Sequence, residues 1–464
     1  MRYKTDHRLF LRAHVAATML ALTSIAAAQS EGEWTLFCPI GSNETQLVDL
    51  DNNVVQTWES AFTPGASVYL VDDGAILRPA NDPNAGNFGG PGLGGRIERI
   101  AWDGTVEWSY LAAGPDYVQH HDIELLPNGN VLAIVWERHS AADAIAMGRD
   151  PARVGTEVWS ETVIEVEPSG TDGGTIVWQW RVWDHLVQDF DPNLPNYGVI
   201  SEHPGRIDIN AGPEVPDWLH FNALDYNAEL DQIVLSCFTL GEIYIISRDP
   251  NDSGDLLYRW GNPQMYGRGG PEDQKLFNQH DPEWIPAGLP GAGNITVFNN
   301  GNPRGYSSIE EINTGVRGDG TYNIGMSDPY GPADFTASED EIDGVPFFSN
   351  FMSGVQRMAN GNSIVCIALE NRIVEIDSAG NSVWSIATAG PAFRGTRYAK
   401  RDSRLEGLLW CVADFNDDDV VNTQDVLAFL NAWTAEDEAA DFNGDGSVDT
   451  LDVLAFLNAW TSGC

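Results

Sequence analysis

The stretch Asp122–Trp136, DIELLPNGNVLAIVW, decides the fold. An alternating strand runs into a Pro-Asn-Gly-Asn turn, and a second, apolar strand leaves it, which is a hairpin signal. The same half-unit returns as VYLVDDGAIL at Val68–Leu77 and VQRMANGNSIVCIAL at Val355–Leu369, and more loosely at Ala223–Cys237 and Pro282–Phe298. Between these copies lies a second type: a strand, a polar turn, and a strand ending in Trp. It reads QLVDLDNNVVQTW at Gln46–Trp58, RIERIAWDGTVEW at Arg96–Trp108 and RIVEIDSAGNSVW at Arg372–Trp384. Longer copies end at Trp180 and Trp260, and a degenerate one begins at Tyr306. The pair of halves repeats about every 55 to 70 residues, and a fixed period of that length marks a repeat architecture. Four strands per unit and six Trp-type halves predict an all-β, six-bladed β-propeller over residues 29–405, whose radial closure hides the sheet edges. Trp34–Ile40 is expected to complete the first blade.

Outside the repeats, the first 28 residues read as a secretory signal peptide. Arg2, Lys4, Arg8 and Arg12 form a basic segment, Val15–Ala27 is apolar, and Ala26-Ala27-Ala28 supplies a cleavage site. The expected location is secreted, extracellular or periplasmic, with no membrane span. The net charge of −43 excludes nucleic acid and anionic membranes as natural partners. An anionic substrate would need a local pocket that overcomes this field. Of the five Cys, Cys237 and Cys366 lie in apolar strands and read as small hydrophobes, Cys411 and Cys464 bracket the last domain and suit a disulfide, and Cys38 has no assignment.

Aligning the blades by their turns places three histidines in one phase. His121, His220 and His280 each stand six residues before a turn residue (Pro127, Tyr226, Pro286), at the start of a predicted innermost strand. The equivalent positions in two other blades are Ala66 and Ser353. Three imidazoles should therefore converge at one mouth of the central channel, an arrangement suited to proton transfer or nucleophilic attack. Zinc binding by three histidines is the alternative, although no carboxylate follows at ligand spacing.

The neighbours of these histidines carry a resemblance. HHDIELLPNGN (His120–Asn130), DWLHFNALDYNAELDQI (Asp217–Ile233), RWGNPQMYGRG (Arg259–Gly269), NQHDPEWIPAGLPGAGN (Asn278–Asn294) and SGVQRMANGNS (Ser353–Ser363) resemble the arylsulfate sulfotransferase family. The resemblance implies a six-bladed propeller that moves a sulfuryl group from a phenolic sulfate ester to a phenol, with no nucleotide sulfate donor. It implies that His280 is the nucleophile that becomes sulfated. It assigns His220 and Asn222 to the sulfate and phenolic oxygens, and His121, or its neighbour His120, to the first channel position. Arg259 is a further expected substrate contact. The family places an Arg sixteen residues after Asn222, and here that position is Phe238. Either Arg138, Arg259, Arg268 or Arg357 reaches the site instead, or the substrate differs, or activity is lost. A sulfate-ester hydrolase, a non-catalytic ligand-binding propeller and a quinone-dependent dehydrogenase remain as other readings, the last without a visible calcium–quinone site.

At the C-terminal end, DVLAFLNAW occurs twice, at Asp425–Trp433 and Asp452–Trp460, 27 residues apart. Asp414, Asn416, Asp418, Val420, Asn422 and Asp425 precede and open the first copy. Asp441, Asn443, Asp445, Ser447, Asp449 and Asp452 do the same for the second. These occupy positions 1, 3, 5, 7, 9 and 12 of an EF-hand-like loop, where hard oxygen ligands hold calcium. Gly446 supplies the sharp turn in the second loop, and Asp419 stands there in the first. Twelve acidic and no basic residues lie in 411–464, so a cation would relieve self-repulsion. The pattern resembles a dockerin: a small α-helical calcium-binding domain over 411–464, with a protein or cell-surface partner implied.

Overall fold

The computed structural model describes residues 32–86, 88–251, 254–418 and 420–463. The expected signal peptide at 1–28, and Asp419 and Cys464, lie outside them. Six four-stranded antiparallel sheets follow one another along the chain, the blades of a propeller. The innermost strands of blades 2 to 6 are Tyr69–Val71, Tyr117–Leu125, Phe221–Asn227, His280–Trp284 and Gly354–Arg357. Blade 1 departs from the expectation. Trp34–Pro39 is its second strand, and its innermost strand is Ala392–Tyr398 from the far end of the repeats. The register runs from Trp34 opposite Tyr398 to Pro39 opposite Ala392, so the two ends of the propeller chain close the ring together.

The repeated Trp has a physical reason. Its ring packs between blades and its indole N–H, a donor that must be satisfied when buried, reaches a carbonyl of the following blade. Trp108 donates to Gly173 O at 2.8 Å, Trp180 to Gly254 O at 2.6 Å, Trp260 to Pro332 O at 2.7 Å and Trp384 to Leu50 O at 2.9 Å. Nearer the axis, carboxylates make the same stitch. Asp122 accepts from Leu224 N at 3.1 Å, Asp225 from Trp284 N at 2.7 Å and Asp281 from Val355 N at 3.0 Å. Blades 3 and 4, and 4 and 5, are thus tied at both radii, while Trp58 of blade 1 is buried without a partner for its indole N–H among the described residues. Cys38, Cys237 and Cys366 are buried free thiols, as small apolar residues would be. No helix among the described residues is long and apolar enough to cross a membrane.

Beyond the ring, Thr423–Thr434 and Thr450–Ser462 are helices related by an internal pseudo-twofold. Phe429 and Phe456 stack at their centre, with centroids 4.3 Å apart. Trp433 Nε1 donates to Asp449 O at 2.6 Å, and Trp460 Nε1 returns the contact to Asn422 O at 2.8 Å. Each helix carries a capping box, from Asn422 with Asp425 and from Asp449 with Asp452. Cys411 is disulfide-bonded.

Candidate active site

A β-bulge interrupts the innermost strand beside each of the three histidines, between Gln119 and Ile123, Phe221 and Ala223, and His280 and Glu283. A bulge re-aims the side chains next to it. His121 and His220 sit in the left-handed region, at φ 53° and 54°, while at His280 that conformation falls one residue later, on Asp281 at φ 57°. Such backbone costs a non-glycine residue about 1–3 kcal/mol and persists only where the surroundings hold it. Gly92 lies flat against the His121 ring; a Cβ there would meet the imidazole at 2.2 Å.

The result is a cavity of about 700 Å³ at one mouth of the channel, lined by His121, His220 and His280. Its other walls include Phe238, Phe351, Phe393, Leu93 and Met352, and Asp217 is its single carboxylate among the described residues. The volume lies in the range of small-molecule sites, and the walls are apolar as such sites are. The rings of His121 and His220 meet edge to face at 4.7 Å. Phe238 stands between His220 and His280, at 5.3 and 5.5 Å, where the resemblance expects an Arg.

Each imidazole has a different hydrogen-bond setting, and that sets its chemistry. His280 Nδ1 lies 2.8 Å from Asn300 Oδ1. The Asn300 amide nitrogen donates to Ser349 O and Met352 O, so its oxygen accepts and His280 carries its proton on Nδ1. Nε2 is then the lone-pair nitrogen, and it accepts from Met352 N at 3.1 Å. Burial pulls His280 down to about 3, so it is neutral throughout the physiological range. His220 Nδ1 lies 2.6 Å from Asp217 Oδ2. Burial acts to lower His220, but the Asp217 hydrogen bond and charge outweigh it and the net shift is upward. His121 is lowered well below the usual histidine value, by burial and then by the charge of His220.

Other expected site residues fall elsewhere. Asn222 is buried beside the mouth, but its amide donates to Gln279 O at 2.9 Å and it does not line the cavity. His120 lies behind His121, fully buried and stacked on Trp136 at 3.9 Å, so direct substrate contact is corrected to support of its neighbour. Arg259 is on the outermost strand of blade 4, buried against Glu242, and is no substrate contact here. Arg138 pairs with Glu157, Arg268 donates to Ser201 O, and Arg357 pairs with Glu311. Among the described residues, no Arg or Lys lines the histidine cavity. Residues that sequence reasoning missed are Asp217, three residues before His220, and Asn300 and Glu161, which reach His280 and His120 from another strand.

Farther along the channel, toward the opposite mouth, the chemistry inverts. Arg394 lies 2.8 Å from Asp122, 2.5 Å from Asp281 and 3.8 Å from Glu283. Glu124 and Asp225 line the same end. Burial raises Asp225 and Asp281 to about 6, and lifts Glu124 and Glu283 well above the usual carboxylate range.

In the first C-terminal loop, oxygens of Asp414, Asp418 and Asp425 gather within 4.8 Å of one another. The two loops repeat one hydrogen-bond pattern. Asp425 accepts from Asn416 N at 3.2 Å and Asp452 from Asn443 N at 3.1 Å, while Asp414 and Asp441 each accept at 3.1 Å from Asp418 N and Asp445 N. An all-oxygen donor set of this kind fits a hard cation.

A six-bladed propeller with a histidine-lined, aromatic channel mouth is the class that fold and site define. The arylsulfotransferase (ASST) family model matches residues 94–383, more than half of the chain, and the chain belongs to that family. Among solved structures, it is similar to a protein of unknown function from Bacteroides caccae, with 15% identity over 79% of this chain and 98% of that one and a TM-score of 0.47. It is also similar to virginiamycin B lyase from Staphylococcus aureus, with 14% identity over 79% and 89% and a TM-score of 0.39. No curated protein matches.

Proposed function

We propose that this protein transfers a sulfuryl group from an aryl sulfate ester to a phenol through sulfated His280, without a nucleotide sulfate donor. The observation that carries this reading is the pairing of a neutral, Nδ1-protonated His280 with a proton-bearing His220 across one aromatic cavity. In the first half-reaction the Nε2 lone pair of His280 exchanges the Met352 amide for sulfur. The S–O bond to the aryl group breaks, its electrons pass to the phenolic oxygen, and His220 Nε2–H protonates that oxygen. Asn300 accepts from Nδ1–H and stabilises the positive charge that develops on the ring. In the second half, His220 takes the proton of the acceptor phenol, the phenolic oxygen attacks sulfur, and the N–S electrons return to Nε2. The apolar walls accommodate the aryl groups.

One observation favours a second reading. A cavity lined by no Arg or Lys among the described residues suits binding of a neutral aromatic ligand without catalysis. A chromogenic aryl sulfate with and without added phenol separates the readings. Phenol-dependent release of chromophore, with an acid-labile sulfated protein when phenol is omitted, is expected. His280→Ala should remove both, lowering turnover by about a thousandfold or more. Equal rates with and without phenol indicate a hydrolase, and wild-type turnover in His280→Ala ends the covalent mechanism.

For the C-terminal segment we propose a dockerin-like pair of calcium loops that docks the secreted enzyme to a protein or cell-surface partner. Asp414, Asn416, Asp418, Val420, Asn422 and Asp425, and their counterparts from Asp441 to Asp452, would hold the ions. Chelator should abolish the helical signal of residues 423–462 while the propeller stays folded, because metal binding to such loops is coupled to their folding. A full chain whose circular dichroism and thermal profile are unchanged by chelator and by added calcium contradicts this.

A further inference from the structure

Behind the cavity wall lies a chain of three polar groups. Glu161 Oε2 is 2.9 Å from His120 Nε2, and His120 Nδ1 is 2.9 Å from His121 Nδ1. Glu161 Oε1 accepts from Phe221 N at 2.8 Å. Glu161 and His120 are both fully buried, and no Lys or Arg pairs with Glu161 among the described residues. The ionisable groups that face Glu161 are His120, His220 and Asp217. Asp217 is already committed to His220 and to Trp136 Nε1. His121 Nε2 has no protein partner among the described residues, and the ring lines the cavity.

We infer that Glu161 and His120 are positioning residues that fix His121 as its Nε2–H tautomer, so that His121 donates a hydrogen bond into the cavity where Phe238 offers none. This rests on the sulfotransfer reading above, since a sulfate oxygen is the acceptor it serves. No Lys or Arg among the described residues offsets a charge on Glu161, and ionising a fully buried carboxyl without a cation is costly, so Glu161 is the neutral acid. Its two oxygens then divide the work that the geometry requires: Oε1 is the carbonyl that accepts from Phe221, and Oε2–H donates to His120 Nε2. A neutral imidazole has one ring proton. His120 therefore carries it on Nδ1 and donates to His121 Nδ1, which leaves the His121 proton on Nε2. Burial, followed by the charge of Asp217, raises Glu161 in the sense this requires, and burial lowers His120. His121 thereby supplies a fixed neutral donor in a mouth where, among the described residues, no guanidinium lines the cavity.

The test reads the tautomer directly. In the full chain labelled with 15N-histidine, the ring shifts of His121, assigned by their loss in His121→Gln, should show hydrogen on Nε2 and none on Nδ1. Glu161→Gln is the conservative variant, because an amide oxygen can accept from Phe221 and an amide nitrogen can donate to His120 Nε2. It should keep the tautomer and hold the affinity for inorganic sulfate within about twofold, whereas Glu161→Ala should mix the tautomers and weaken sulfate about tenfold or more. His121 protonated on Nδ1 in the wild type, or a Glu161→Gln protein that loses the tautomer or tenfold in sulfate affinity, overturns the inference. If Glu161→Ala does not fold, the wild type and Glu161→Gln decide it alone. Neither readout needs turnover. An inactive wild type with the expected tautomer therefore counts against sulfotransfer and not against the relay, and an active one with the wrong tautomer does the reverse.

Discussion

The two ends of the channel are built from opposite residues and are brought to the same condition. At one mouth stand His121, His220 and His280 among phenylalanines; toward the other, five carboxylates surround Arg394. Burial penalises whichever form is charged, so it lowers His121 and His280 and raises Glu124, Asp225, Asp281 and Glu283. A chain with a net charge of −43 thus carries an axis far less charged than its sequence suggests. The difference lies in what neutrality does. A neutral imidazole has a lone pair to use, whereas a neutral carboxyl keeps its acceptor oxygen and stitches blades together. His220 is the exception at its end, because Asp217 returns the charge that burial would remove.

Three substitutions break or sharpen this contrast. The largest effect is expected at Arg394, which pairs with Asp122, Asp281 and Glu283 at once. Arg394→Met should destabilise the propeller by about 3–5 kcal/mol at pH 8, because it strands buried carboxylates without their partner. Urea unfolding should show a smaller loss at pH 5, where more of them are protonated. Equal losses at the two pH values would mean that the side chain acts only by packing.

A more modest change isolates one acid. Asp281 rises to about 6 in the folded chain from an ordinary 3.8. Between those values the native state binds more protons than the unfolded state, so this group costs the wild type stability as pH rises from about 4 to 6, and nothing further above that. Asp281→Asn escapes that loss. Its stability relative to wild type should improve by on the order of 2 kcal/mol between pH 4 and pH 7 in paired urea titrations. A gap that stays constant with pH denies the upward shift.

The smallest effect probes the histidine mouth. Phe238→Arg places a guanidinium between His220 and His280, in a cavity lined by no Arg or Lys among the described residues. The Michaelis constant for an aryl sulfate should fall about fivefold, a gain of roughly 1 kcal/mol from one new exposed ion contact. A rise would show that the aromatic ring itself holds the substrate.

Much of this architecture is legible in the sequence because it is local. Hairpins such as Asp122–Trp136 announce themselves through alternation and turn residues, and the repeated Trp marks the outer strands. The phase of the histidines follows from counting back from those turns. Two of their partners do not follow, because other strands bring them: Glu161 is 41 residues from His120, and Asn300 is 20 from His280. Asp217, only three residues before His220, gives no signal that it is the one paired to the ring. Asn222 sits in phase, yet a bulge beside it turns its amide to Gln279. Arg259 lies in a stretch that resembles the family, but that stretch ends an outer strand, where Glu242 claims it. The closing strand Ala392–Tyr398 was hidden because it has no hairpin partner nearby in sequence.

That closing strand also sets a schedule. Trp34 finds its hydrogen-bond acceptor, Lys400 O, 366 residues along the chain. During synthesis the first blade must therefore wait, with one edge open, until every other blade has left the ribosome. Open strand edges are where nascent chains pair with the wrong neighbour. A transcript cut short before codon 392 yields five complete blades and a sixth with a raw edge.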